Sequence, residues 1–477
     1  MRKIDILALV CFVLVGLGCK DDPSEPGPVD PTNTDSELPY IEVTSDVAIE
    51  NEPKVPGQMR VYENGEVVLS SRIGIEYRGS TSFRLSDKRS YGVETWDEND
   101  MDEDKSVLGF PEEEDWILLG HVFRASENRI FDPTLMRNHI GYELYRSMGN
   151  YASRSQFVEL NVNGDFVGTY VFMEKLKRDN DRIDIARLEE GDNDAESITG
   201  GYILKIDKTS GGDVAPNEPL EYYENNWDDD ARYNENISFR SKYGVDGTPI
   251  SFEPFRPPYH TDQYLETYFL YEYPRSDRIT DQQKEYIQQY IEDFETALLE
   301  DDLTSNERTY TDYIDLNSFV DYFILNELVS NVDAYRLSTY LYKDRGEKLN
   351  MGPVWDLNIG YNLQSRIPSD DWIVNYNDYV PGDPWLVPFW WDRLLDDPIY
   401  IDLLKQRWSE LRANVLATST VENLVRETSN YLIDNGAIER NYERWSGIDV
   451  AYEAEVEAMI DYLRNRLSWM DDKIESL

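Results

Sequence analysis

The chain has 477 residues, 94 of them acidic and 46 basic, for a formal net charge of −48. Such a surface excludes nucleic-acid binding through phosphates and electrostatic attachment to anionic lipid. A content of 40% hydrophobic and 13% aromatic residues excludes disorder throughout, and the only cysteines, Cys11 and Cys19, exclude a disulfide scaffold.

Residues 1–18 read as an address, not as part of the fold. Arg2 and Lys3 precede an apolar run, Ile6 to Leu17, that is too short to span a bilayer, which takes about 20 residues. The run ends in Leu17-Gly18-Cys19, similar to a bacterial lipoprotein cleavage site that leaves Cys19 lipidated. An ordinary secretory signal is the alternative. Residues 19–39 open with Lys20-Asp21-Asp22 and continue rich in Pro, Ser, Asp and Gly, the composition of a flexible tether. The acidic pair after the cysteine resembles the export signal of surface lipoproteins of the Bacteroidetes type. The expected location is the cell envelope, lipid-anchored in the outer membrane, with membrane contact through the N-terminal anchor only.

From Tyr40 the pattern is strand-like. Gln58 to Tyr62 meets Val67 to Leu69 across Asn64-Gly65, a strong hairpin signal. Ile73 to Tyr77 reads as another strand, Arg78 to Ser82 as a polar turn, and Ser90 to Glu94 as a strand before an acidic loop, Trp96 to Lys105. Thr134 to Met148 has helical spacing, with Asp132 to cap it, Pro133 at its first position and Gly149 at its end. Phe157 to Val162 and Val167 to Phe172 flank Asn163-Gly164, a second hairpin signal, and Gly201 to Asp207 is one more strand.

The chain then turns helical. Asp281 to Glu300 and Leu316 to Ser330 have helical periods, and three or four helices follow Pro398. A strand-rich first half and a helix-rich second half give an α+β class.

Strong motifs are absent: no phosphate loop, no zinc helix and no serine elbow. His121, His139 and His260 are scattered, and His139, on the expected helix, reads as structural. Asp97 to Asp104 and Asp228-Asp229-Asp230 lack the spacing of an EF-hand and read as solvated loops. More informative are Asn331 to Asp344 and Gly352 to Gly360, where Asp333 and Asp356 each adjoin an apolar strand-like run. A tight pair of strands brings the two carboxylates near one another. Phosphoryl transfer needs one carboxylate to orient the hydroxyl and another to hold Mg²⁺; two capping aspartates are the plain alternative.

An ordered set of short pieces resembles the CotH family, the spore-coat-protein-H-like atypical protein kinases, from about Tyr40 to Arg393. The pieces are Arg78-Gly79-Ser80-Thr81-Ser82, Lys88-Arg89-Ser90-Tyr91, Arg137-Asn138, Asn163-Gly164 with Gly168 and Tyr170, Glu174-Lys175, and Trp355-Asp356. The resemblance implies a two-lobed kinase-like domain over 40–395, with 396–477 as a helical extension packed on it. It implies ATP and Mg²⁺ as cofactors and a protein hydroxyl as acceptor.

The resemblance also assigns roles. Lys88 matches the strand lysine that neutralises ATP phosphates, with Glu143 as its ion-pair partner. Arg78, Gly79 and Ser80 lie over the phosphates, and Glu174 borders the adenine. Asp333 matches the catalytic aspartate and Asp356 the metal ligand, joined by Asn358. Kinase-like loops carry Asn five residues after the aspartate; here that residue is Ser338. Either Asn358 compensates or a second metal is absent.

The aromatic stretch Trp372 to Trp391 reads either as a glycan-stacking surface or as a plug under the helices. Together with Ser338 it supports the alternative function, a catalytically inactive kinase-like surface protein that binds glycan or protein partners.

Overall fold

The computed structural model describes residues 36–209, 230–361 and 366–477. The expected signal segment, Cys19 and most of the tether lie outside these described residues, as do Asp228 and Asp229.

Seven strands close into a barrel: β1 (Tyr40–Thr44), β2 (Val55–Glu63), β3 (Glu66–Arg78), β4 (Ser90–Trp96), β5 (Asp115–Leu119), β8 (Ser155–Val162) and β9 (Asp165–Glu174). β6 (Phe123–Arg124) and β7 (Arg129–Ile130) form a separate short pair. Both Asn-Gly hairpins are present. Asn64 and Gly65 have φ of 51° and 77°, and Asn163 and Gly164 have 54° and 86°. Positive φ at both central residues matches the turn to the twist of the flanking strands, and Asn and Gly tolerate it best. Ile73 to Tyr77 is the second half of β3, since no turn residue separates it from Val67. β1 closes the barrel by pairing parallel to β8, Tyr40 opposite Glu159.

The helix expected from Thr134 begins later. Asp132 accepts hydrogen bonds from the Thr134 N–H, the Thr134 hydroxyl and the Arg137 N–H. It therefore caps a turn through Leu135, whose φ is 62°. After α1 (Thr81–Leu85), helix α2 spans Arg137–Ser147 and buries Ile140 and Leu144 on one face, with Met136 just before it.

A second sheet has the order β11-β12-β10-β13-β14, from β10 (Tyr202–Ile206), β11 (Ser238–Arg240), β12 (Tyr268–Tyr273), β13 (Thr339–Lys343) and β14 (Leu349–Met351). Helix α3 (Asp281–Glu300) starts at a capping box, Thr280 with Gln283. Asp315 caps α4 (Leu316–Val329) by accepting from the Ser318 N–H. Short helices α5 (Tyr376–Tyr379) and α6 (Trp390–Leu395) precede α7 (Pro398–Arg412), α8 (Thr418–Asp434), α9 (Ala437–Arg444) and α10 (Tyr452–Ser476).

One core runs through both halves of the chain: Ile140 of α2, Leu204 of β10, Phe323 of α4 and Leu463 of α10 belong to the same apolar cluster. Packing therefore shows no seam near residue 395. α9 also covers the barrel. The Thr169 hydroxyl donates to the Ala437 carbonyl at 3.0 Å, and Trp445 Nε1 donates to the Val167 carbonyl at 3.0 Å. This cover explains why β9 is buried on both faces from Phe166 to Glu174.

Glu327 of α4 is fully buried. Its carboxylate accepts from the Tyr335 hydroxyl at 3.0 Å, the Ile373 and Val374 N–H groups at 2.7 and 2.9 Å, and Arg466 Nη2 of α10 at 3.0 Å. Glu327→Ala would leave the Arg466 charge without its carboxylate in the interior, a loss of about 3–5 kcal/mol. Urea unfolding measures it; a loss below about 1 kcal/mol would contradict the role given to this pair.

Candidate functional site

A cleft of about 870 Å³ opens between the barrel rim and the second sheet, within the size range of small-molecule sites. Among the described residues its walls carry ten lysines and arginines and nine aspartates and glutamates. The whole chain has 94 acids to 46 bases, so the described lining is rich in cations by comparison. An anion repelled by the outer surface meets a compensating field in the cleft.

The floor is built by the β13–β14 hairpin. Asp333 lies in the loop before β13 and Asp356 in the loop after β14, and both line the cleft. Asp356 has φ 54°, and its loop is pinned by α2. The Leu357 N–H donates to Asn138 Oδ1 at 2.7 Å, Arg137 Nη1 donates to the Asn358 carbonyl at 3.2 Å, and the Asp356 N–H donates to the Tyr142 hydroxyl at 3.3 Å. Arg137-Asn138 thus acts as a brace for the aspartate loop. Asn358 also lines the cleft.

Burial pushes the Asp356 carboxyl up to about 7, with Asp333 and Asp207 adding repulsion and Arg78 opposing it. No hydrogen bond reaches the Asp356 carboxylate among the described residues. A half-buried carboxylate with two acidic neighbours and no donor among the described residues is short of positive charge. The donor set, carboxylates with the Asn358 amide, is of the hard oxygen type that suits Mg²⁺. The residues fit a divalent cation.

Across from the floor, β3 ends in Arg78, whose guanidinium lies 5.4 Å from the Trp355 ring centroid. Gly79 follows with φ 91°, and a Cβ there would sit 2.1 Å from Ser82 Oγ. The left-handed φ favours glycine at this turn. Arg78, Gly79 and Ser80 all line the cleft. The Ser80 hydroxyl is engaged: it accepts from Arg84 Nη2 at 2.6 Å and donates to Asp230 Oδ1 at 3.5 Å. Asp230 is thus the buried partner of Arg84, at 2.5 Å, and not a member of a solvated acidic loop.

Lys88, Glu143 and Glu174 are not brought to the cleft. Lys88 is 2% exposed, and its amine donates to the Thr169 carbonyl at 2.6 Å and to Asn441 Oδ1 of α9 at 2.8 Å. It points into the barrel–α9 interface, where Asn441 Oδ1 accepts from both Lys88 and the Thr169 N–H. Glu143 pairs with Arg146 at 3.0 Å on its own helix. Glu174 is buried against Arg154 at 2.5 Å and the Tyr151 hydroxyl at 3.2 Å.

One cleft lysine, Lys205, carries the charge that Lys88 does not bring, with a carboxylate, Asp207, two residues on. Lys205 lies on β10, paired with Glu272 of β12 at 3.3 Å. Asp207 accepts from the Lys208 N–H at 2.8 Å, and the Ser338 amide is among the groups that pull its carboxyl down. Its carboxyl is raised by burial, against the pull of Lys205. The sequence did carry a signal: Ile203, Lys205 and Asp207 alternate onto one face of an otherwise apolar strand.

Other sequence candidates are structural. His121 Nε2 bonds the Leu135 carbonyl and His139 Nδ1 the Ser155 hydroxyl, and burial lowers both to about 4. Glu113, Glu114 and Asp115 converge, but Lys177 sits among them at 2.5, 2.6 and 3.0 Å. Of the aromatic stretch, Trp372, Tyr376, Phe389, Trp390 and Trp391 are core residues, so it is mainly a plug; Trp385 lines the cleft.

Burial lowers the Lys88 amine from 10.5 to about 7. Between these pH values the unfolded chain binds one more proton than the native state, so stability from this site rises with pH from about 7 to 10. In Lys88→Met that rise is lost. The stability gap between wild type and variant should move toward wild type over this window, by at most about 1.4 kcal/mol per pH unit. A pH-independent gap in urea titrations would contradict the buried, neutral lysine.

No curated protein matches this chain. The profile of the CotH kinase protein family matches residues 75–470, from the second half of β3 into the last helix. That span takes in the Arg78–Ser82 turn, both floor aspartates and the helices beyond 395. Matched over most of its length, the chain belongs to the CotH kinase family.

Proposed function

We propose that the cleft binds Mg·ATP between the barrel and the second sheet, which serve as the two lobes of a kinase-like fold, and that it passes the γ-phosphoryl group to a protein Ser, Thr or Tyr hydroxyl. Family membership supports nucleotide- and metal-dependent phosphotransfer in general. The observation that carries the finer reading is the placement of Asp333 and Asp356 on one floor, facing Arg78 and the Gly79 turn in a cation-enriched cleft.

On this reading the acceptor oxygen attacks the γ-phosphorus, ADP leaves, and the hydroxyl proton passes to Asp333. Asp356, Asp207 and Asn358 would hold the divalent cation, which supplies charge neutralisation at the phosphates. Asp207, influenced by the Ser338 amide, would supply a carboxylate near the loop position where kinase-like loops carry Asn. Arg78, the Gly79 turn and Lys205 steady the phosphates, with Glu272 fixing Lys205 as a strand lysine is fixed by its carboxylate. Catalysis is then positioning and electrostatics. The Leu17-Gly18-Cys19 sequence supports a lipid-anchored envelope location.

Thermal melting with Mg·ATP tests the site, because a ligand that binds only the native state raises its melting temperature. Wild type should rise by several degrees at millimolar Mg·ATP. Asp356→Ala should lose the rise, and Asp207→Asn should lose most of it, both while folded. No rise in folded wild type would contradict the nucleotide site. Binding without phosphoryl transfer to any acceptor would select the inactive-scaffold alternative. Separately, Cys19→Ala should abolish labelling by radioactive palmitate in cells; retained label would contradict the anchor.

A further inference from the structure

We propose that Arg336 is the positioning residue of Asp333, and that residues 376–385 serve to hold Arg336 still; this rests on the phosphotransfer reading of the cleft. Arg336 is 1% exposed. A guanidinium so buried is tolerated only when its donors are matched. Nη2 donates to Asp333 Oδ1 at 2.6 Å, Nε donates to the Val332 carbonyl at 2.9 Å, and Nη1 donates to the Trp385 carbonyl at 3.2 Å. Nη1 also lies 3.5 Å from Asp383 Oδ1, and the guanidinium sits 3.9 Å above the Tyr376 ring. Asp383 is itself fixed, accepting from the Tyr376 hydroxyl at 2.8 Å and the Trp385 N–H at 2.9 Å.

The clamp divides the two oxygens of Asp333. Oδ1 is committed to Arg336. Oδ2 has no hydrogen-bond donor among the described residues, and the side chain is 26% exposed toward the cleft. Asp333 shares the cleft floor with Asp356, and like charges so placed repel, so an untethered Asp333 would turn away from the floor. Arg336 opposes that turn and leaves Oδ2 to meet an acceptor hydroxyl. The chain from Tyr376 to Trp385 thereby acts on the reacting groups through one arginine. A purely structural ion pair would alter melting temperature without altering the rate of a protein that still binds nucleotide.

The test is transfer from radiolabelled ATP to casein and to water, beside the Mg·ATP melting shift. Arg336→Gln should slow transfer about 100-fold, as expected for a misplaced reacting group, and keep the melting shift. Arg336→Lys should recover part of the rate. In the Asp333→Asn background Arg336→Gln should slow transfer no further. A rate within twofold of wild type for Arg336→Gln, or the same further loss in the Asp333→Asn background, would overturn the proposal. Should Arg336→Gln fail to fold, Asp383→Asn replaces it, with a several-fold slower rate and an unchanged melting shift expected; an unchanged rate overturns the proposal. Wild type that binds Mg·ATP and transfers nothing also overturns it, whereas wild type that does not bind Mg·ATP removes the cleft reading itself.

Discussion

The buried carboxylate of Glu327 is the point at which four parts of the chain meet. It belongs to α4, receives the Tyr335 hydroxyl from the Asp333 loop, two amides from the start of the aromatic segment, and the guanidinium of Arg466 from the last helix. Burial raises its carboxyl, while Arg466, the Ile373 and Val374 amides and the Tyr335 hydroxyl pull it down. Such a group is held in place by the cost of leaving any of its partners unmet. Tyr335, between Asp333 and Arg336 in sequence, has φ 73°. The loop that carries the candidate base is thus fixed from below by Glu327 and from the side by Arg336.

This arrangement makes the C-terminal helices part of the site's support. Arg466 reaches Glu327 from α10, and α9 closes over the barrel through Asn441 and Trp445. The family match extending to residue 470 agrees with a core that does not divide near 395. Charge is organised on the same plan. At the barrel end of the cleft Lys54 pairs with Glu76 at 3.5 Å and Lys175 with Asp115 at 3.2 Å. Near the floor, Arg78 opposes the repulsion among Asp356, Asp333 and Asp207.

Much of the scaffold was legible in local chemistry. Both Asn-Gly turns, the helical spacing over Asp281–Glu300 and Leu316–Ser330, and the helices after Pro398, expected as three or four and found as four, follow from residue type at short range. The pair Asp333 and Asp356 was legible too, since a short hairpin between them limits their separation. Lys88 was not. A strand pattern tells which residues share a face, but not whether that face meets a cleft or another element. The element facing Lys88 is α9, 353 residues along the chain. Lys205 and Asp207 were hidden for the converse reason: their strand was readable, yet the barrel rim across from it was not. The helix start at Arg137 was missed because Asp132 caps a left-handed turn at Leu135 before the helix begins.

The central claim is that Asp356 marks the cation and nucleotide site. A crystal structure with Mn²⁺ and a non-hydrolysable ATP analogue, using the anomalous signal of the metal, tests it most directly. The account predicts a manganese peak within bonding distance of the Asp356 carboxylate, with the phosphates beside Arg78 and Gly79. A nucleotide bound elsewhere, or manganese displacing Lys177 at the Glu113–Asp115 cluster instead, would contradict it.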